Sequence, residues 1–385
     1  MTDKKQILFV NDEMQMGGVA RVLNTLMAAL PEEEYDIDLL ILHKEGMLLK
    51  EIPEKVHVIE GTPFFRAVDQ SLDLLWQQKK IRDLAGKLRL LAYMKSGMIV
   101  NRIREERKKI LSKQYDVEVA AKEGFCTIFT AYGDSKRKIN WVLTDYSVCN
   151  YSHNHMRLVK QALANIDLNI ADSEQALIAY ETVFRVNNGI TIHNLMDVDR
   201  IRRCLEDADG AEICGTDGPN LITVARFHFQ KSIDRLLTAS HTVYEEGLHH
   251  TLYLIGGGEE EAALRKMVSD LHMNHVVFLG YRQNPYADMA KADLYVSSSL
   301  YEGFATVISE SLIVGTPVLA TEVSGVREQI TEQAHGWIVE NTQEALTDGL
   351  RTALKEPGGL AMRKEQLKDY EYPNAAILEE FRRAL

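Results

Sequence analysis

The stretch "DLYVSSSLYEGFATVISESLIVGTPVLA" (residues 293–320) reads as a strand, a glycine-containing turn, a helix and a second strand. "DLYVSSS" and "TPVLA" are short apolar runs. Between them Val307, Ile308, Leu312 and Val314 mark a largely buried helix. Two strands joined through a helix make the βαβ unit of a parallel sheet. The same alternation extends outward in both directions. "NLITVAR" (220–226) precedes "SIDRLLTASHTVYEEG", "TLYLIGGG" (251–258) precedes "EEEAALRKMVSDL", and "VVFLG" precedes "PYADMAKA". In the first half, "QILFV", "DIDLLIL", "KVHVIE", "VEVAA", "KINWVLT", "DLNIAD" and "GITIHN" are strand-like, with helices at "GVARVLNTLMAAL" and "SEQALIAYETVF".

Two separate runs of βαβ units in 385 residues exceed what one core holds, so the fold class is α/β with two doubly wound parallel-sheet domains. The join falls near "HNLMDVDR", giving an N-terminal domain at 1–195 and a C-terminal domain at 196–368. A last helix over about 369–385 packs back on the first domain. No internal repeat or low-complexity linker interrupts this order.

With 45% hydrophobic and 26% charged residues, the composition is that of an ordinary soluble globular protein. No run of about 18 uncharged apolar residues suggests a spanning helix. "MTDKKQILFVNDEM" enters a strand directly, without a secretory h-region. Cys126, Cys149, Cys204 and Cys214 show neither metal nor disulfide spacing, which points to a reducing cytoplasm. The net charge of −12 argues against nucleic acid as a partner. Residues 79–113 are the exception, with twelve Lys/Arg against three Asp/Glu, a local charge of +9.

Ligands of paired open α/β domains bind beyond the carboxyl ends of strands, in the cleft between domains, so polar residues there are the candidates. Gly17 and Gly18 open a helix after the first strand, either as an anion-facing N-terminus or as a plain turn. No G-x-G-x-x-G fingerprint is present, which counts against NAD. Arg226 ends a strand and Lys231 lies near the next helix; two cations there suit a diphosphate, or are simply solvated. The three glycines of "LIGGGEEEAAL" read better as a structural turn, since the acidic residues that follow repel an anion. Tyr281 and Arg282 in "GYRQNPYADM" could offer backbone to a planar base.

In the opening stretch, Gly303, Phe304 and Ala305 expose backbone N–H groups at a helix start, and Thr306 adds a hydroxyl. Glu302 in the turn and Glu310 in the helix are suited to sugar hydroxyls, because a carboxylate carries two acceptor oxygens. Two surface glutamates are the plainer reading. The apolar helix between them opposes it, because an unpaired buried carboxylate is costly.

Together these residues resemble the retaining glycosyltransferases of the GT-B fold, family 4. The resemblance rests on "EGFATVISE" (302–310) as an E-x7-E motif, its continuation "GTPVLATEVSGVREQI", "VARFHFQKSID", "ADSEQALIAY" with "TIHNLMD", and "GGVARVL". It implies two Rossmann-like domains facing a cleft, with a UDP-sugar held mainly by the C-terminal one. Arg226 and Lys231 would bind the diphosphate. Glu302 and the backbone of Gly303 to Thr306 would contact the transferred sugar and its phosphate. Glu310 would hold the ribose, and Tyr281 and Arg282 would frame the base. Gly17 and Gly18 would let the first domain approach the diphosphate. The resemblance implies no metal and no other cofactor, and a hexose or N-acetylhexosamine moved to a glycan or lipid-linked acceptor in bacterial cell-surface polysaccharide synthesis.

One departure concerns the acceptor side. Related sequences often carry histidine in "W-V-H-x-D", whereas this chain has "NWVLTDY" with Leu143. Asp145 remains as a catalytic candidate, Glu123 in "AKEGF" matches a related turn, and His153 or His155 could face the cleft. Residues 79–113 read either as a basic amphipathic segment on an anionic membrane, on the inner face of the plasma membrane, or as a solvated helix. Two alternatives to the transferase remain. One is a catalytically weak sugar-nucleotide-binding subunit partnering another transferase, favoured by Leu143. The other is a dehydrogenase or epimerase of similar architecture, opposed by the missing fingerprint.

Overall fold

Apolar runs bounded by glycine or polar turns become strands, and every pairing within the two sheets is parallel. The computed structural model describes residues 4–15, 17–68, 70, 72–77, 79–148, 151–206, 212–213, 218–356 and 358–385. Cys149 and Cys214 lie outside them.

The chain forms two compact units, Met1–Leu195 with Asn374–Leu385, and Met196–Pro373. The first holds β1 (Lys5–Asn11), β2 (Tyr35–Ile41), β3 (His57–Glu60), β4 (Val117–Ala120), β5 (Arg137–Val142), β6 (Leu168–Ala171) and β7 (Gly189–Thr191), in the order β3-β2-β1-β4-β5-β6-β7. The second holds β8 (Asn220–Arg226), β9 (Thr251–Gly257), β10 (Val276–Gly280), β11 (Leu294–Ser297), β12 (Val318–Thr321) and β13 (Gly336–Val339), in the order β10-β9-β8-β11-β12-β13. Both are doubly wound parallel sheets. In each, strand order reverses beside the first strand of the unit, between β1 and β4 and between β8 and β11. These are the switch points whose carboxyl ends take ligands.

Covering both faces of a parallel sheet buries successive residues of a strand on opposite sides. In β8, Leu221 packs among Leu236, Leu237 and Leu254, while Ile222 packs among Tyr253, Ile308 and Leu312. Several helices start on side-chain caps: Ser173 accepts from the Ala176 N–H at 3.2 Å, and Thr342 from that of Ala345 at 3.1 Å. The closing helix, Asn374–Ala384, belongs to the first unit. There Phe381 meets Trp141 edge-on at 5.2 Å, and Arg382 donates to Glu34 at 2.7 Å.

Three local features depart from the sequence reading or sharpen it. The single long basic helical region is three helices, Leu72–Gln77, Ile81–Ser96 and Ile99–Ile110. Lys79 and Gly97 sit in the left-handed region, at φ 55° and 78°, and turn the chain between them. Strand β13 and the helices Gln343–Lys355 and Gly359–Gln366 extend the second unit beyond the elements the sequence signalled. The turn "LIGGG" is needed for a close approach: at Gly256, with φ 141°, a Cβ would lie 1.8 Å from the Ala225 carbonyl oxygen. Among the described residues no helix is long and apolar enough to cross a membrane.

Candidate functional site

Beyond the carboxyl ends of β8 and β11, two loops are tied together by side chains and backbone. The Ser298 hydroxyl donates to the carbonyls of Lys231 and Ser232, at 2.8 and 3.0 Å, and the Leu300 N–H donates to Gln230 O at 2.8 Å. Ser232 holds a left-handed backbone at φ 47°, which costs a non-glycine residue roughly 1–2 kcal/mol. The hydroxyl of Ser298 fixes it there.

This stitching delivers Lys231 to Glu302. Glu302 is buried, at 9% exposure, and both oxygens of its carboxylate have partners. Oε1 pairs with Lys231 Nζ and accepts from Ser299 Oγ at 2.7 Å, while Oε2 accepts from Gln230 Nε2 at 3.3 Å. Gln230 Nε2 also donates to Tyr301 O at 2.9 Å, which fixes the turn that carries the glutamate. Arg226, at the end of β8, is exposed and has no carboxylate partner among the described residues.

The helix Thr306–Ile313 follows the turn. Its N-cap is Ala305, so no side chain caps its first N–H groups. The Ala305 carbonyl instead accepts from Gln329 Nε2 at 2.9 Å, which orients the turn. Gly325 packs against this turn at φ 80°, where a Cβ would come within 2.8 Å of Gly303 O. Glu310, also buried, accepts from the Tyr286 hydroxyl at 3.2 Å, and Arg200 donates to that hydroxyl at 3.4 Å. Tyr295 of β11 lies within electrostatic reach of both glutamates. Burial first, and then their negative charge, raises its phenol far above the usual range.

The structure therefore brings Lys231 and Glu302 into direct contact, with Arg226 and the Gly303–Thr306 turn at the same sheet edge and Glu310 in the helix that follows. Tyr281 is exposed, whereas Arg282 points to Glu212 at 2.8 Å and Asp288 at 4.0 Å. In the first unit, Gly17 caps the helix Gly18–Ala29, and a Cβ there would meet nothing within 4 Å. Asp145 Oδ1 accepts from the Ser147 N–H and hydroxyl, at 2.8 and 2.6 Å. Glu123 Oε2 accepts from the Leu143 N–H at 3.0 Å. His153 is exposed, while His155 stacks on Tyr151 at 4.6 Å and lies against Gly124.

Gln230, Ser299, Tyr286 and Arg200 were not singled out from the sequence. Gln230 and the serine run at the end of β11 carried a usable signal, being polar and directly after strands. Arg200 and Tyr286 carried none, since they meet Glu310 only through the fold.

Residues 212–372 match the family model described as "Glycosyl transferases group 1". A Campylobacter jejuni enzyme named N-acetylgalactosamine-N,N'-diacetylbacillosaminyl-diphospho-undecaprenol 4-alpha-N-acetylgalactosaminyltransferase is 32% identical over 27% of this chain and 30% of its own length. An uncharacterized glycosyltransferase of Haemophilus influenzae is 22% identical over 98% of this chain and 99% of that one. Among solved structures, Anabaena HepE in complex with UDP and glucose superposes with a TM-score of 0.71 at 18% identity, covering 98% of each chain. The two parallel sheets, the site at the β8/β11 switch point and the family-model match agree: this is a protein of GT-B fold whose second unit matches the group 1 glycosyl transferase model.

Proposed function

We propose that the protein is a retaining hexosyltransferase that moves a hexose or N-acetylhexosamine from a UDP-sugar to a glycan or lipid-linked acceptor in bacterial cell-surface polysaccharide synthesis. The carrying observation is the buried carboxylate of Glu302, held by Lys231, Ser299 and Gln230 beside the exposed Arg226 and an uncapped helix start. Arg226 and Lys231 neutralise the diphosphate as the bond from the sugar's C1 to the phosphate oxygen breaks. The N–H groups of the 303–306 turn meet the phosphate and sugar, Glu302 holds sugar hydroxyls, and Glu310 accepts from the ribose. The acceptor hydroxyl forms its bond to C1 on the face the nucleotide leaves, and a departing phosphate oxygen takes its proton. Charge stabilisation by these cations and the helix start makes a metal unnecessary in this reading.

The UDP complexes of HepE and the diphospho-undecaprenol in the name of the Campylobacter relative support a UDP donor and a lipid-linked acceptor. Carboxylates at the carboxyl end of the first sheet, Glu123 and Asp145 among them, suit acceptor hydroxyls. The protein then works in the cytoplasm, peripherally on the inner face of the plasma membrane.

Thermal-shift measurement with a panel of UDP- and GDP-sugars tests the donor. A ligand at about 100 times its dissociation constant adds roughly 2.7 kcal/mol, and no shift with any nucleotide sugar rejects the assignment. The anomeric configuration of the transferred sugar, read by NMR, tests retention. Leu143, where related sequences often carry histidine, favours a second reading as a sugar-nucleotide-binding subunit. Turnover by the purified chain alone excludes it.

A further inference from the structure

The stretch between Trp76 and Met98, in the first unit, presents several large apolar side chains to solvent. Trp76, Ile81, Leu88, Leu91 and Met98 are 73%, 76%, 55%, 38% and 55% exposed. Within the helix Ile81–Ser96, Ile81, Ala85, Leu88 and Ala92 follow i, i+4, i+7, i+11 spacing and share one exposed face. The opposite side supplies Leu90, which is buried with Ile99 and Ile103 in the core. Core packing accounts for Leu90 and leaves the other face without a structural reason.

Cations surround that face. Lys79, Lys80, Arg82 and Lys95 are exposed and have no carboxylate partner among the described residues, and Arg89 lies 5.9 Å from the Phe64 ring centroid. Asp83 is the one acidic residue between positions 79 and 98. The remainder of the basic segment is different. Arg107 pairs with buried Glu118, Arg102 and Lys109 both pair with Glu106, and Lys113 pairs with Asp36 and Asp38. Much of its positive charge is paired with carboxylates of the fold, with Arg104 and Lys108 left exposed.

We infer that the Trp76–Met98 surface docks on an anionic lipid bilayer, with Ile81, Leu88 and Leu91 entering the acyl boundary and the neighbouring cations on the headgroups. This rests on the peripheral-membrane part of the function proposed above. It narrows the contact from the whole basic segment to one helix face and makes it apolar as well as electrostatic. A second copy meeting this face to face would set Lys79, Lys80, Arg82 and Lys95 against their own kind, whereas a phosphatidylglycerol surface complements them.

The test is flotation with vesicles of mixed phosphatidylglycerol and phosphatidylcholine against phosphatidylcholine alone, at low and high salt. Trp76 is the exposed tryptophan, with Trp141 and Trp337 more enclosed, so its emission shifts to the blue on docking. The expected result is binding to the anionic vesicles that is weakened but not abolished by salt. The Leu88→Asp/Leu91→Asp variant should lose roughly a hundredfold in vesicle affinity at any salt, and Lys79→Gln/Lys80→Gln/Arg82→Gln roughly a hundredfold only at low salt. A UDP-dependent thermal shift equal to wild type shows that both variants are folded.

Absence of flotation at low salt, wild-type binding by the Leu88→Asp/Leu91→Asp variant, or a dimer that this variant dissolves would each overturn the inference. Failure of the UDP shift in the wild type, with flotation intact, counts against the donor assignment alone.

Discussion

The carboxyl ends of the two sheets share a switch-point topology and differ in what they place there. At β8 and β11 the loops are cross-tied, Ser298 to Lys231 and Gln230 to Glu302, and the free charge at the edge is the cation Arg226. At β1 and β4 the long-range pair of Asp12 with Lys122 joins the loops. The other carboxylates of that sheet's edge bond nearby groups, Asp145 to Ser147 and Glu123 to the Leu143 N–H across to β5. Topology fixes where a ligand sits, and side-chain chemistry decides which ligand. A cationic edge suits a diphosphate, and an edge rich in carboxylates suits hydroxyls.

The largest expected effect tests this contrast directly. Glu302→Gln should lower kcat for sugar transfer by roughly 10²–10³-fold while leaving the UDP dissociation constant within about threefold, because the amide keeps shape but loses the charge facing the transferred sugar. Single-turnover transfer and calorimetry of UDP binding check the two halves. Asp145→Asn should cost less than about tenfold in kcat and raise the acceptor KM, since the amide oxygen still accepts from Ser147. Equal losses from the two substitutions would erase the distinction between the edges.

Next in size is nucleotide affinity. Arg226→Ala should weaken UDP binding by roughly ten- to a hundredfold, the range for a charge-assisted contact. Glu310→Ala should weaken it by roughly tenfold, and Tyr286→Phe, which removes the hydroxyl that orients Glu310, by a few-fold at most. An effect of Tyr286→Phe larger than that of Glu310→Ala would mean the tyrosine, not the carboxylate, meets the ribose.

The sequence showed the strands most clearly where burial on both faces makes them continuously apolar. "NLITVAR" and "VVFLG" became β8 and β10 residue for residue. "GWIV" was overlooked as β13 because it is four residues long and begins with a glycine, whose close approach to Val318 only the fold reveals. The basic segment looked like one helix since its periodicity carries across Gly97, and nothing local shows that Arg107 will be buried against Glu118. At the site, Glu302, Glu310, Arg226 and Lys231 were readable from their places after strands. The groups that hold them were not: Gln230 and Arg200 sit 72 and 110 positions from the glutamates they serve, a separation that helical or strand periodicity does not encode.

The expected effect furthest from catalysis, on stability alone, comes from the opposite end of the second sheet. His250 precedes β9 and His275 precedes β10, both buried, and their Nε2 atoms lie 2.8 and 3.1 Å from the Ser240 hydroxyl. Tyr244 stacks on His275 at 3.9 Å, and His241 and His249 bring further imidazoles rather than carboxylates. Burial, and then the neighbouring His250 and His241, push His275 down to about 4, and burial also lowers His250. A histidine with a depressed folded pKa binds fewer protons folded than unfolded between that value and about 6.5, so stability is lost as pH falls through this window. His275 alone accounts for at most about 3 kcal/mol. Melting temperatures from pH 7 to 4.5 should fall, and His275→Asn should flatten the fall by keeping a neutral polar group against Ser240. Because the cluster lies in the unit with the cationic edge, UDP should oppose the loss and Asp145→Asn should not alter it. An acid response unchanged in His275→Asn would place the sensitivity elsewhere in the chain.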